Sequence, residues 1–282
     1  MRRALIVEGI VKALMVASFA LVMGSLVFIL ITVIVKGLPA LDLAMITQTP
    51  KGGYYLGKEG GILNAIIGSL YLAGGATLLA LVFSLPISIY LEAYERRSRW
   101  ADVTRLSLDV LWGIPSIVYG AFGFTIMLAL GMRASLLGGI IVLAILELPI
   151  MTRAMDEVVR MMPFDVEQAS YALGATRLET ALRVVTRQML PGILTAILLA
   201  FGRGIGDAAS VLFTAGYTDR IPTSLMRPTA SLPLAVFFQL GTPFPEVQRR
   251  AYASALVLTF IILIVSLGSR WISSRMSKFT IK

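Results

Sequence analysis

Cysteine and histidine are both absent from the 282 residues. That excludes disulfides, thiolate nucleophiles, histidine-ligated metals and histidine proton relays, and it leaves the compartment open. Charge is scarce as well, with 15% of residues charged against about 25% in an average soluble domain. No Ser/Gly/Pro linker, low-complexity tract or internal repeat divides the chain, so residues 1–282 read as one domain. A complete P-loop is also missing. Gly52, four residues, then Gly57-Lys58-Glu59 has the glycine spacing, but it lacks the Ser or Thr that holds magnesium, and no strand precedes it. The chain is therefore expected not to be an enzyme, and any ATP used with it must be hydrolysed elsewhere.

What is abundant is uninterrupted apolar sequence. Hydrophobic residues make up 57% of the chain, and the mean hydropathy is +0.84. Ala13–Val35, Ile62–Leu91 and Val110–Leu130 carry no charge over 23, 30 and 21 residues. Each exceeds the ~20 residues that cross a bilayer as a helix. Three further runs follow, one interrupted by Glu147, one by Arg203 and Asp207, and the last at 251–271. The expected spans are thus about 13–35, 62–91, 108–130, 134–153, 189–217 and 251–271. Such runs are too continuous for the alternation of a barrel, which predicts an all-α polytopic membrane protein with six transmembrane helices. Met1-Arg2-Arg3 before the first run imitates a signal peptide. The apolar part is too long for one and no clean cleavage site follows, so an uncleaved anchor is expected.

The net charge of +9 follows membrane topology. With the N-terminus inside, 16 of the 25 Lys and Arg fall in inner segments, eight in outer ones, and Arg203 lies within a span. The excess obeys the positive-inside rule. It places both termini in the cytoplasm and makes nucleic acid an unexpected partner. In the outer segment 219–250 the apolar patch Leu232–Leu240 is expected to fold back into the protein.

The inner segment 160–187 reads helix, glycine, helix. Asp165 is a candidate N-cap for Val166–Leu173, Gly174 supplies the left-handed stop, and Thr176…Glu179 has capping-box spacing for a second helix. Val166, Ala169, Tyr171, Ala172 and Leu173 offer a small apolar surface, either for a docking partner or for lipid headgroups.

In the fifth span, Arg203 and Asp207 interrupt "TAILLAFGRGIGDAASVLFTAG". Twelve residues beyond Pro191, Arg203 is expected about 18 Å into a ~30 Å hydrocarbon core. Asp207 is placed on the same face, four residues on, and Gly202, Gly204 and Gly206 admit a close neighbour. The pair reads either as structural glue or as part of an anion path, with the guanidinium donating to an oxyanion. The fourth span carries Glu147, then Arg153 and Asp156, and extends that choice to a second helix.

The inner segment resembles the E-A-A-x3-G-x9-I-x-L-P loop of permeases of ATP-binding-cassette importers. Here it reads Gln168-Ala169-Ser170, three residues, Gly174, nine residues, Val184. Glu167 stands one place early, Thr186-Arg187 replaces Leu-Pro, and Leu190-Pro191 follows four residues late. Together "GILNAIIGSLYLA", "GIPSIVYGAFG", "ELPIMTRAMDEV", "ASYALGATRLET" and "GRGIGDAASVLFTAG", between about Gly61 and Tyr252, are similar to the phosphate-specific permeases of the PstA type. Where those show R-x-x-G-E-T-A-P this chain has Arg203, Gly206, Asp207, Ala208, Ala209 and Ser210. Where they show R-x-x-E it has Arg153 and Asp156.

The resemblance implies a type I importer permease fold in the prokaryotic inner membrane. It implies a substrate path at Arg203, Asp207, Arg153, Asp156 and Glu147, and coupling to an ATPase through Asp165, Glu167, Gln168, Ala169 and Gly174. The implied partners are a second, PstC-like permease, a homodimeric PstB-like ATPase and an external PstS-like phosphate-binding protein. ATP and magnesium would sit on the ATPase, with no cofactor in this chain. Another oxyanion (sulfate, molybdate or phosphonate) and a non-transporting membrane scaffold or sensor are the alternatives.

Overall fold

A backbone out of reach of water must bond within its own segment, and the long apolar runs form helices accordingly. The computed structural model describes residues 2–51, 59–95, 98–162 and 164–276. The glycine-lysine segment 52–58 weighed above as a P-loop lies outside them, as does Pro163. In chain order the helices are α1 (Arg2–Gly37), α2 (Leu43–Thr47), α3 (Leu63–Ala93), α4 (Arg99–Gly113), α5 (Ser116–Ala129) and α6 (Leu136–Arg160). They continue with α7 (Phe164–Ala172), α8 (Arg177–Glu179), α9 (Thr186–Ile205), α10 (Leu232–Leu240) and α11 (Pro245–Met276). A π-helical turn, Thr180–Val185, joins α8 to α9. The only extended pairing among the described residues is a two-residue antiparallel ladder, Pro50–Lys51 with Glu59–Gly60.

Five segments are long and apolar enough to cross a membrane: Leu5–Ala40, Leu63–Ala93, Leu136–Arg160, Arg177–Ile205 and Pro245–Trp271. The α4–α5 pair is a sixth if it counts as one broken span. Two expected spans change shape. Residues 108–130 are not one helix, because α4 and α5 meet at a 96° bend. Pro115 has no N–H to continue the ladder and pushes Ile114 to an extended conformation (φ −71°, ψ 130°). The Tyr119 hydroxyl donates to the Leu111 carbonyl across the bend at 2.8 Å. The expected 189–217 span is helical only to Ile205, and turns carry the chain on towards Tyr217.

The core lies between α3, α6 and α9. Leu72, Ala76 and Ala80 of α3 meet Leu143, Met151 and Met155 of α6 and Ile193, Ala196 and Ala200 of α9. Lipid is as apolar as these side chains, so close packing rather than water exclusion holds them, and the alanines let the backbones approach. In contrast, the apolar window of α1 is wholly unburied, and the helix packs chiefly against α11.

The free N–H groups at the start of α6 are satisfied by the 207–231 connection. Ser135, Leu136 and Leu137 donate to the carbonyls of Thr214, Arg227 and Leu225, each at 2.8 Å. Asn64 of α3 donates to Thr218 O at 2.6 Å, and the Ser69 hydroxyl accepts the Leu232 N–H at 2.8 Å. The Leu232–Leu240 patch does fold back as α10, with Leu232 and Leu234 fully enclosed.

Candidate functional site

Arg203 lies in the last turn of α9, exposed, and pairs with no acid among the described residues. The expected Arg203–Asp207 pair does not form. A contact at i, i+4 needs a continuous helix, and glycines at 202, 204 and 206 weaken this one by up to ~1 kcal/mol each relative to alanine. The helix stops at Gly206, and the Asp207 carboxylate turns to accept the Ser210 N–H at 2.8 Å. Asp207 thus caps the following turn, and the Arg203 guanidinium is left available.

Glu147, expected along the same path, is fully enclosed. The Thr77 hydroxyl of α3 donates to its Oε2 at 2.9 Å. Its Oε1 has no hydrogen-bond partner among the described residues and lies against Gly204 of α9, where an added Cβ would collide with it. One carboxylate therefore touches all three core helices.

Arg153 and Asp156 do meet, with Arg153 Nη1 donating to Asp156 Oδ2 at 3.2 Å. Two residues that the sequence reading left aside complete the group. Arg105 of α4, 7% exposed, grips the fully buried Asp156 with two bonds, Nε to Oδ2 at 2.9 Å and Nη2 to Oδ1 at 3.0 Å. Asp109, one turn along α4, accepts from Arg153 Nε at 2.6 Å. Glu92 of α3 and Asp102 each stand 3.9 Å from Arg105. The signal was present in the spacing Asp102, Arg105, Asp109, which marks one helical face. Along the chain Arg105 is only one more inner cation, because nothing local distinguishes a buried arginine from a solvated one.

The inner segment has the helix–glycine–helix form. α7 begins at Phe164, so Asp165 falls in its first turn, and the capping position falls on Pro163, outside the described residues. Gly174 has φ +84°, a conformation that suits glycine. Thr176 and Glu179 form the full capping box. Gln168, Ala169, Tyr171, Ala172 and Leu173 are exposed, and Val166 and Glu167 are half-buried. Leu173, 89% exposed, has no packing of its own. The Ser170 and Thr180 hydroxyls bond at 2.9 Å, which ties α7 to the π-helical turn that leads into α9. A small cavity lined by Ile89, Glu92, Glu167, Tyr171 and Ala181 separates α7 from the end of α3.

Apolar helices of bilayer length, with an arginine in the last turn of one of them and a helical pair between two of them, define an integral membrane protein. The chain belongs to the binding-protein-dependent transport system inner membrane component family, whose profile matches residues 84–278. It is similar to the phosphate transport system permease protein PstA of Yersinia pestis, 35% identical over 250 residues covering 89% of this chain and 84% of that protein. PstA of Haemophilus influenzae is 33% identical over 87% of this chain and 86% of its own. PstA 1 of Mycobacterium tuberculosis (strain ATCC 25618 / H37Rv) is 34% identical over 90% and 83%. Among solved structures, the inward-facing MetNI methionine ABC transporter superimposes with a TM-score of 0.63 at 16% identity, over 76% of this chain and 95% of that one. That likeness shows the fold, the type I permease arrangement expected above.

Proposed function

We propose that this chain is a membrane permease subunit of an ATP-driven phosphate importer. The observation that carries the reading is the Arg203 guanidinium, exposed and without an acid partner among the described residues, at the end of a core membrane helix. Ionised groups within membrane-spanning segments are rare, and they mark substrate pathways. Phosphate is small and negative, and guanidinium matches its oxygens with paired donors. The PstA relatives are named for transport of the same anion.

In this reading Arg203 and Arg153 offer donors along the path, and Asp207 and Asp156 limit how tightly an anion is held. The α7 segment, with Glu167, Gln168, Ala169 and Gly174, docks on a homodimeric ATPase that carries the ATP and magnesium; this chain holds no cofactor. A second permease completes the path, and an external phosphate-binding protein delivers the substrate. Both termini face the cytoplasm. ATP binding closes the ATPase, moves α7 and its tethered π-helical turn, and so shifts α9. Hydrolysis resets them.

The test is labelled-phosphate uptake in cells lacking their own phosphate importers, expressing this chain with its partners, with excess sulfate or molybdate as competitor. ATP-dependent uptake that ignores the competitors is expected. Assembly without phosphate uptake would overturn the reading. Arg203→Gln is expected to abolish uptake and leave assembly intact, and loss of assembly instead would make Arg203 a packing residue.

A further inference from the structure

We infer that Asp109 is the positioning residue that sets anion release at the inner arginine: its carboxylate occupies Arg153 while no anion is there, and competes for the guanidinium with an anion that arrives. This rests on the reading of Arg153 as a donor along an anion path.

The two acids on Arg153 differ in what they are free to do. Asp156 is fully buried, and Arg105 engages both of its oxygens, at 2.9 and 3.0 Å. Arg153 adds one longer bond to it, from Nη1 at 3.2 Å. Asp109 is the closer acid, accepting from Arg153 Nε at 2.6 Å, and its side chain is 45% exposed. Arg105 and Asp156 already join α4 to α6, so the two helices do not need Asp109 to hold them together. Depth adds a further observation. Glu147 of α6 lies against Gly204, the neighbour of Arg203. Arg153 is six residues further along α6, about 9 Å, and so stands nearer the inner segment than Arg203 does.

A carboxylate and a phosphate offer a guanidinium the same kind of acceptor oxygens, so they compete for one edge of Arg153. Yielding that edge asks for no helix movement. An exposed aspartate turns between staggered rotamers on a picosecond-to-nanosecond scale. The surroundings favour its return. Four acids, Glu92, Asp102, Asp109 and Asp156, stand at 3.9 Å or less from Arg105 or Arg153. Their field weakens the hold on any further anion. Arg203, with no acid partner among the described residues, is the arginine that holds an anion, and Arg153, with Asp109 on it, is the one that lets it go.

The experiment measures equilibrium binding of labelled inorganic phosphate to the assembled, nucleotide-free transporter in nanodiscs. The external binding protein is left out, since it would bind phosphate itself, and an Arg203→Gln background leaves the inner arginine to report. Asp109→Asn keeps the size and an oxygen that accepts from Arg153, and it removes the charge. The expected result is binding about tenfold tighter than with Asp109 in place, the scale of one charge-assisted hydrogen bond. Asp109→Glu should bind as Asp109 does, and adding Arg153→Gln should erase the gain. With Arg203 restored, proteoliposomes supplied with ATP should show a several-fold lower maximal uptake for Asp109→Asn, because release is slowed. A residue that only braces α4 predicts no gain in affinity. Unchanged or weaker binding by Asp109→Asn would overturn the inference, as would a gain that survives Arg153→Gln or a maximal uptake equal to wild type. Should Asp109→Asn fail to assemble, Asp109→Ser carries the same test. Labelled sulfate separates the two readings. Tighter sulfate binding with no change for phosphate supports Asp109 and sinks phosphate as the cargo, whereas no gain for either anion sinks only the role given to Asp109.

Discussion

Arg105→Gln is the perturbation whose size the structure sets most directly. Asp156 is fully buried, and Arg105 supplies two of the three bonds to its carboxylate. Removing one partner of such a pair strands the other, at ~3–5 kcal/mol. Arg153 still donates to Oδ2 at 3.2 Å, so the low end applies, about 3 kcal/mol. An unfolding entropy of ~2.1 cal/mol/K per residue, summed over 282 residues, comes to roughly 0.6 kcal/mol/K, and the expected fall in Tm is about 5 °C. The assay is thermal unfolding of the purified chain in detergent, followed by tryptophan fluorescence at fixed pH and salt. The control is Arg105→Gln with Asp156→Asn, which removes both charges and leaves two amides able to bond each other. It should recover most of the loss, because the damage comes from the stranded carboxylate and not from the missing attraction. An Arg105→Gln protein that melts with the wild type would refute the reasoning. It would mean that Asp156 is hydrated in spite of its packing.

Gly204→Ala places a methyl group against the Glu147 carboxylate, and overpacking of this kind should destabilise by ~1–3 kcal/mol in the same melt. An unchanged Tm would show that Glu147 has room to withdraw. Gly174→Val forces a β-branched residue into φ +84°, at ~1–2 kcal/mol of local strain. The α7 end should shift, and ATP hydrolysis should proceed without uptake in an assembled complex. Normal coupling would count against docking at this end of α7.

Much of this molecule is local in origin and therefore legible along the chain. The apolar runs mark the helices, because in the absence of water each must satisfy its own backbone. Gly174 and the Thr176–Glu179 capping box end one inner helix and begin the next through contacts within a few residues. The Leu232–Leu240 patch announced its return to the core by being too apolar for an outer loop. Even the break of the third span was written in Pro115, although an uninterrupted hydropathy run concealed it.

Side-chain partners were not legible in the same way. The i, i+4 spacing of Arg203 and Asp207 assumed a helix that stops at Ile205. Asp156 was rightly matched to Arg153, yet its stronger partner is Arg105, 51 positions away on another helix. Glu147 reads as a path residue, and its enclosure by α3, α6 and α9 is not visible along the chain. By itself the sequence determined that the long apolar runs carry helices, that the inner helices part at Gly174 and the Thr176–Glu179 capping box, and that a few charges lie among apolar helices. Those properties depend on neighbours within a turn or so of chain. Only the tertiary structure decided which of the described charges pair and which are sealed in. That outcome depends on how helices distant in sequence are rotated against one another, and hydropathy and spacing do not specify the rotation.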